Sequence, residues 1–174
     1  MYLAFDTETG GVDPATTSCL TAFFQVLNGD LEPLDELEVS FKHPIYHVEA
    51  EALGINHIDL IKHDAEAKPL PVTIAKIENL LEIWGRLIPI GHNISFDISE
   101  IASIVPDFRS KIHYRTIDTA SICRFLILCG KLPPTLSGLD NFCEHFGILL
   151  EAHNAKNDTI ATVKLLKELI HATI

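Results

Sequence analysis

The chain opens on a short apolar run, Tyr2 to Asp6, that ends in acid. A run of that length bounded by a turn reads as a buried strand. Cys19 to Leu27 (CLTAFFQVL) is rich in aromatic and β-branched residues and reads as a second strand, closed by the turn residues Asn28-Gly29-Asp30. Leu37 to Lys42 (LEVSFK) alternates apolar with polar, as a half-exposed third strand does. Glu49 to Leu53 and Ile58 to Lys62 read as short helical pieces. The period then changes. Ile74, Ile77, Leu81 and Trp84 predict a helix over Pro71 to Leu87, with Pro71 in its first turn. Ile88 to Gly91 predicts a short strand, and Ser95 opens a helix carrying Ile98, Ile101 and Val105. His113 to Asp118 predicts another strand, followed by helix from Thr119 to Cys129. Ser137 to Phe146 reads as a helix stopped by Gly147. The last helix spans Asp158 to Ile170, with Ile160, Val163, Leu166 and Ile170 at core spacing.

Three strands in a meander, then strand–helix alternation, imply an α/β fold: a mixed central sheet with helices on its faces. The ribonuclease-H-like arrangement has this order. The 174 residues fit one domain, 1–174, large enough to fold without a disulfide or a structural metal. Cys19, Cys123, Cys129 and Cys143 form no C-x-x-C pair and lie in segments that read as strand or helix interior. They are expected to be reduced, mostly buried thiols, with no zinc site, in a cytoplasmic protein. Met1 to Asp6 has no basic leader pattern, and the longest apolar run, Phe125 to Cys129, is too short for a bilayer, so no membrane partner is expected.

Three segments carry candidate chemistry. Residues i and i+2 of a strand point to one side, so Asp6-Thr7-Glu8 places two carboxylates on one face. Adjacent carboxylates repel unless a cation sits between them, and magnesium favours such oxygen ligands. The same pair would also suit a solvated turn before Gly10-Gly11. Asp97, closing Gly91-His92-Asn93-Ile94-Ser95-Phe96-Asp97, lies in the first turn of a helix, where any acid is favoured by the helix dipole. Asp158 starts the last helix, as an N-cap acid would, and His153 lies in the loop just before it. Each segment alone has an ordinary structural explanation. Together they supply four carboxylates and a histidine, each at the edge of a strand or at a helix start. Four carboxylates balance two divalent cations, which is the charge logic of two-metal phosphodiester hydrolysis.

Net charge is 13 − 24 = −11, an unfavourable sign for binding a polyanion. Its distribution is uneven. Between Val105 and Lys131, Arg109, Lys111, Arg115, Arg124 and Lys131 face only Asp107 and Asp118, which makes that stretch a candidate for backbone contact or a solvated charged face.

FDTETGG (Phe5 to Gly11), GHNISFD (Gly91 to Asp97), TIDTA (Thr116 to Ala120) and HNAKND (His153 to Asp158) together resemble the DEDDh family of 3′–5′ exonucleases, the DnaQ-like proofreading group. EALGINHI (Glu51 to Ile58) and LSGLDNFCEHFGI (Leu136 to Ile148) are weaker echoes, and the pieces span nearly the whole chain. The resemblance implies a ribonuclease-H-like fold and removal of nucleoside 5′-monophosphates from the 3′ end of DNA or RNA. It implies two Mg²⁺ or Mn²⁺ ions on Asp6, Glu8, Asp97 and Asp158, with His153 as general base. It places the terminal nucleotide against the backbone at Thr9, with Asn93, Phe96 and His57 around it, and leaves Asp118 to support the fold. One departure is Asn154-Ala155-Lys156-Asn157, where many relatives carry Arg and an alanine before the aspartate. The implied partner is a single strand with a free 3′ end. A free-standing monomer or homodimer and a subunit beside a polymerase or other replication protein both fit. A non-catalytic member acting as a structural partner in such a complex is the alternative.

Overall fold

The computed structural model describes residues 1–173. In chain order its elements are β1 (Tyr2–Thr9), β2 (Cys19–Leu27), β3 (Pro33–Lys42), α1 (Ala50–Asn56), α2 (Leu60–Glu66), β4 (Lys68–Pro69), α3 (Leu70–Trp84), β5 (Ile88–Gly91), α4 (Ile94–Ile104), α5 (Phe108–Lys111), β6 (Ile117–Asp118), α6 (Thr119–Leu128), α7 (Gly138–His145) and α8 (Ala155–Thr173). The sheet order is β4-β3-β2-β1-β5-β6. β1, β2 and β3 form the antiparallel meander, while β5 and β6 add parallel to β1. This is the mixed, ribonuclease-H-like α/β sheet that the element order predicted.

Strand alternation divides β1 between two cores. Leu3 and Phe5 face α3 and α4 and pack with Phe24, Val39, Phe41, Ile77, Leu81, Ile98 and Ile101. Phe5 stacks on Phe24 at 5.2 Å and meets Phe108 edge-on at 5.9 Å. Ala4 faces the other way, where Leu27, Ile90, Val163 and Leu166 bring α8 onto the sheet. Leu165 and Leu169 of α8 join α6 and α7 in a third cluster.

Several boundaries differ from the sequence reading. β1 runs on to Thr9 because β2 pairs along it as far as Thr9 with Cys19. Of the strand predicted over His113 to Asp118, only Ile117–Asp118 pairs, against the short β5. β4 and α5 carried no periodic signal, being two and four residues long. α8 starts at Ala155, so Asp158 sits inside its first turn, and Asn154 Oδ1 accepts the N–H groups of Lys156 and Asn157 instead. The core spacing assigned to Ile160 and Ile170 is corrected: Ile160 is half-buried and Ile170 is 45% exposed. α8 is rotated toward α6 and α7, which makes Val163, Leu165, Leu166 and Leu169 its buried stripe. Cys129 is exposed in the turn after α6, whereas the other three thiols are buried. Among the described residues no helix is long and apolar enough to cross a membrane.

Phe5 is fully enclosed and joins two aromatic partners, so Phe5→Ala is expected to cost about 3–5 kcal/mol in urea denaturation. Leu128→Ala, at a position 86% exposed, is expected to stay within about 0.5 kcal/mol of the parent.

Candidate active site

The carboxylates meet where the C-terminal end of β1 passes the N-terminal end of α8. Asp6 and Glu8 share the α8 side of β1, and a carboxylate oxygen from each lies within 4.8 Å of one from Asp158 and of the other. The turn after β1 is held close by its glycines. A Cβ on Gly10 would stand 2.6 Å from the His47 carbonyl, and one on Gly11 would meet Thr17 at the same distance. The Glu49 N–H closes this contact on the Gly10 carbonyl at 2.6 Å.

Asp97 arrives from α4, on the opposite side of the sheet, and stands outside the group of three. Its Oδ1 accepts the Thr7 backbone N–H at 3.0 Å and the Thr7 hydroxyl at 2.7 Å. Thr7 thereby latches α4 to β1 between the two acids. The turn into α4 passes through Asn93 in a left-handed conformation (φ 67°), with its N–H donated to Asp118 Oδ1 at 2.8 Å. Asp118 also accepts from the Ala120 N–H and the Ser121 hydroxyl. It is a clamp between β5, β6 and α6.

Burial raises all four acids, and the charges of others among them raise Asp6 and Glu8 further. Burial pushes the Asp6 carboxyl well above its ordinary value, and Asp97, Asp158 and Glu8 push it further. Glu8 rises to about 8 through burial and the charges of Asp158 and Asp97. Asp97 rises to about 7, burial outweighing the bonds from Thr7. Burial also raises Asp158, against the pull of the His153 N–H. That N–H donates to Asp158 Oδ2 at 3.0 Å, while Asp158 Oδ1 is buried with no hydrogen-bond partner. A partnerless carboxylate oxygen within an all-oxygen donor set suits a hard divalent cation such as Mg²⁺ or Mn²⁺.

His153 is exposed, at φ 67°. It lines a cavity of about 110 Å³ together with Glu8, Thr21, Phe23, Asn56 and Lys156. A second cavity of about 360 Å³ lies on the other side of Glu8, lined by Thr9, Val12, Ala52, Ile55, Asn56 and Phe96 among others. Thr9 and Phe96 therefore share a pocket. His57 and Asn93 are both exposed, stand outside the lining of either cavity, and shape α1 and α4 from their ends. The basic residues between Val105 and Lys131 line neither. Lys111 pairs with Glu78, Arg109 donates to the Ser99 hydroxyl, and Arg115 lies over Tyr114.

Two further residues were not singled out from sequence. Asn56 is buried between the cavities, donates to the Thr9 carbonyl at 3.0 Å and accepts the Ile58 N–H. Its only signal was membership of EALGINHI. Glu100 is fully enclosed one turn after Asp97, with neither oxygen partnered, and burial with the charges of Asp97 and Asp13 pushes it to about 7. An acid on the apolar stripe of Ile98 and Ile101 was its signal.

No protein-family model and no curated protein matches the sequence. Solved structures do match. Escherichia coli exonuclease I in complex with a dT13 oligonucleotide superposes with a TM-score of 0.77 at 16% identity, over 97% of this chain and 40% of that one. A zinc-bound form of the E. coli ExoI–ssDNA complex gives 0.78 at 18% identity, covering 95% and 39%. A moderately thermophilic exonuclease I from Methylocaldum szegediense gives 0.77 at 18% identity, covering 96% and 40%. The chain thus has the fold found in exonuclease I, and spans about 40% of the length of those chains.

The raised carboxyls make stability depend on pH in a defined direction. An acid whose folded pKa lies above its unfolded one stabilises the fold at low pH and loses that contribution as pH rises through the folded value. Glu8 moves from 4.5 to about 8 and Asp97 from 3.8 to about 7. The metal-free protein is therefore expected to show a falling Tm from pH 5 to pH 8.5. Added Mg²⁺ or Mn²⁺ reduces the slope, and Glu8→Gln flattens part of it. A Tm in EDTA that rises over this range contradicts the assignment.

Proposed function

We propose that this chain is a metal-dependent 3′–5′ exonuclease of the DEDDh kind, acting on a single strand of DNA or RNA and releasing nucleoside 5′-monophosphates. The observation that carries the reading is the convergence of Asp6, Glu8 and Asp158 within 4.8 Å at the end of the central strand. The exonuclease I fold supports it, as do the oligonucleotide complexes in which those structures were solved.

Asp6, Glu8 and Asp158 would hold the tighter ion, with Asp6 and Asp97 serving the second. When bound, the two ions supply positive charge to the scissile phosphate and acidify the attacking water. The chain's own groups do the rest. The 360 Å³ cavity takes the terminal nucleotide: Phe96, Val12 and Ile55 offer apolar surface to base and sugar, and the close turn at Thr9 brings backbone to the 3′ end. Asn56 holds that backbone through the Thr9 carbonyl. His153, on the neighbouring wall, accepts the proton of the attacking water at a ring nitrogen and passes it to solvent, to which its loop is open. A single exonuclease domain over 1–174 contains every group this scheme uses.

Digestion of 5′-labelled DNA and RNA strands tests the reading. With Mg²⁺ or Mn²⁺ the products are expected to form a ladder shortening one nucleotide at a time from the 3′ end. EDTA stops it, a 3′-phosphate blocks it, and Asp6→Ala, Glu8→Ala, Asp97→Ala and Asp158→Ala each abolish it while the fold survives. Cleavage in EDTA, or a folded parent inert on every strand, sinks the proposal; the inert outcome is the one a non-catalytic structural partner gives.

His153→Ala is expected to lower kcat by about 10²–10⁴ with substrate affinity largely kept, the range for loss of a general base. Its stability should barely change, because the side chain is exposed. Wild-type turnover in this variant removes the general-base role and leaves the metal site standing.

A further inference from the structure

The two cavities beside Glu8 are walled by acid. Glu8, Glu38, Glu49 and Glu51 all line them, in a chain of net charge −11. A polyanion entering this site needs cationic contacts as well as metal ions. Among the lining residues only one Lys or Arg is present, Lys156, on the same wall as Glu8 and His153.

Helix energetics do not account for a lysine at this position. Lys156 is the second residue of α8, where the helix dipole disfavours a cation. Its ammonium stands 3.6 Å from Glu36 Oε2, with the two side chains 43% and 42% exposed. Such a long, solvated pair contributes little. Glu36 already has a closer partner, since its Oε1 accepts from Gln25 Nε2 at 2.8 Å, so it stays held if the lysine departs. The remaining contact is a cation–π one, the ammonium lying 5.1 Å from the centroid of the Phe23 ring on the cavity wall. Lys156 is parked at the site and free to exchange its carboxylate for a stronger anion.

We propose that Lys156 is a substrate contact, donating from its ammonium to a non-bridging phosphate oxygen of the strand that passes the His153 wall. This rests on the exonuclease reading above. A lysine is a compact point charge with three rotatable donors, so it takes phosphate of any sequence and does not read bases. It therefore serves DNA and RNA alike and acts on affinity rather than on proton transfer.

Binding of 5′-labelled dT12 and rU12 strands, followed by fluorescence anisotropy with Mg²⁺ in the slow His153→Ala background, tests this. Lys156→Gln is expected to weaken binding about tenfold at low salt, as loss of a charge-assisted hydrogen bond does. It should reduce the slope of log Kd against log salt by about 0.7, the increment for one phosphate contact on a single strand. Lys156→Arg keeps both. Glu36→Gln separates this role from a structural tie: it breaks the same ion pair but leaves the cation free, so binding is expected to hold or tighten. If Lys156→Gln and Glu36→Gln shift Kd equally, or if Lys156→Gln leaves Kd and slope unchanged while the background protein binds, the contact is refuted and the exonuclease reading stands. If the background protein binds neither strand, the exonuclease reading itself fails and the contact falls with it.

Discussion

The burial of carboxylates beside one another at the end of β1 is the constraint on which the rest of the structure turns. Asp6 and Glu8 face one way because a strand alternates, and Asp158 is driven toward them because α8 has only one way to bury its apolar stripe. Each unit by which a carboxyl's pKa rises is about 1.4 kcal/mol of opposition to its charged form. Each fully buried Leu or Val contributes about 1.5–3 kcal/mol. Val163, Leu165, Leu166 and Leu169 together supply several such contributions, which hold Asp158 in place although burial raises its carboxyl above the ordinary value. The acids are held together by grease, on both sides of the sheet.

The opposing charge is then relieved piece by piece. Thr7 gives Asp97 two hydrogen bonds, and the His153 N–H gives Asp158 one. What these leave over must be met by protons or by cations. Under the proposed reading, the same property that costs stability in the metal-free protein would supply affinity for divalent ions, and Asp158 Oδ1, buried without a hydrogen-bond partner, is an oxygen such an ion would satisfy. Asp97 differs in kind from the other three. It is tied to the backbone of the strand bearing the site, so it both approaches the acids and fixes α4, which carries Phe96 along one wall of the 360 Å³ cavity.

A surplus of acid is compatible with a nucleic-acid substrate when charge is sorted by place. By sequence, the basic stretch between Val105 and Lys131 is a candidate for backbone contact or a solvated charged face. Its cations line neither cavity beside Glu8; Lys111 pairs with Glu78, and Lys131 donates to the Ala172 carbonyl. The cation beside the carboxylates is Lys156, four residues N-terminal to Ile160 on a helix whose first turn favours acids. Net charge along the sequence could not identify it, because the relevant quantity is which cation shares a wall with Glu8 and His153.

The sequence by itself determined the element order, the mixed sheet, and the pairing of Asp6 with Glu8 on one side of a strand, because alternation and helical period are local properties of the chain. It also marked Asp97, Asp158 and His153 through their places at helix starts and in the loop before α8. The shortest elements, β4 and α5, escaped it, as did the true length of β6. A two-residue strand such as Ile117–Asp118 exists only because β5 lies beside it, and Ile160 and Ile170 could not be told from Leu165 and Leu169 until α6 and α7 set the rotation of α8. Only the tertiary structure decided that Asp158 joins Asp6 and Glu8 while Asp97 reaches β1 from the opposite face through Thr7. Only it showed Asn56 as the partition between two cavities and His57 and Asn93 outside both. The reason is the same in each case: a residue's chemistry is carried in its own side chain, but its neighbours across the sheet are chosen by how distant apolar surfaces pack.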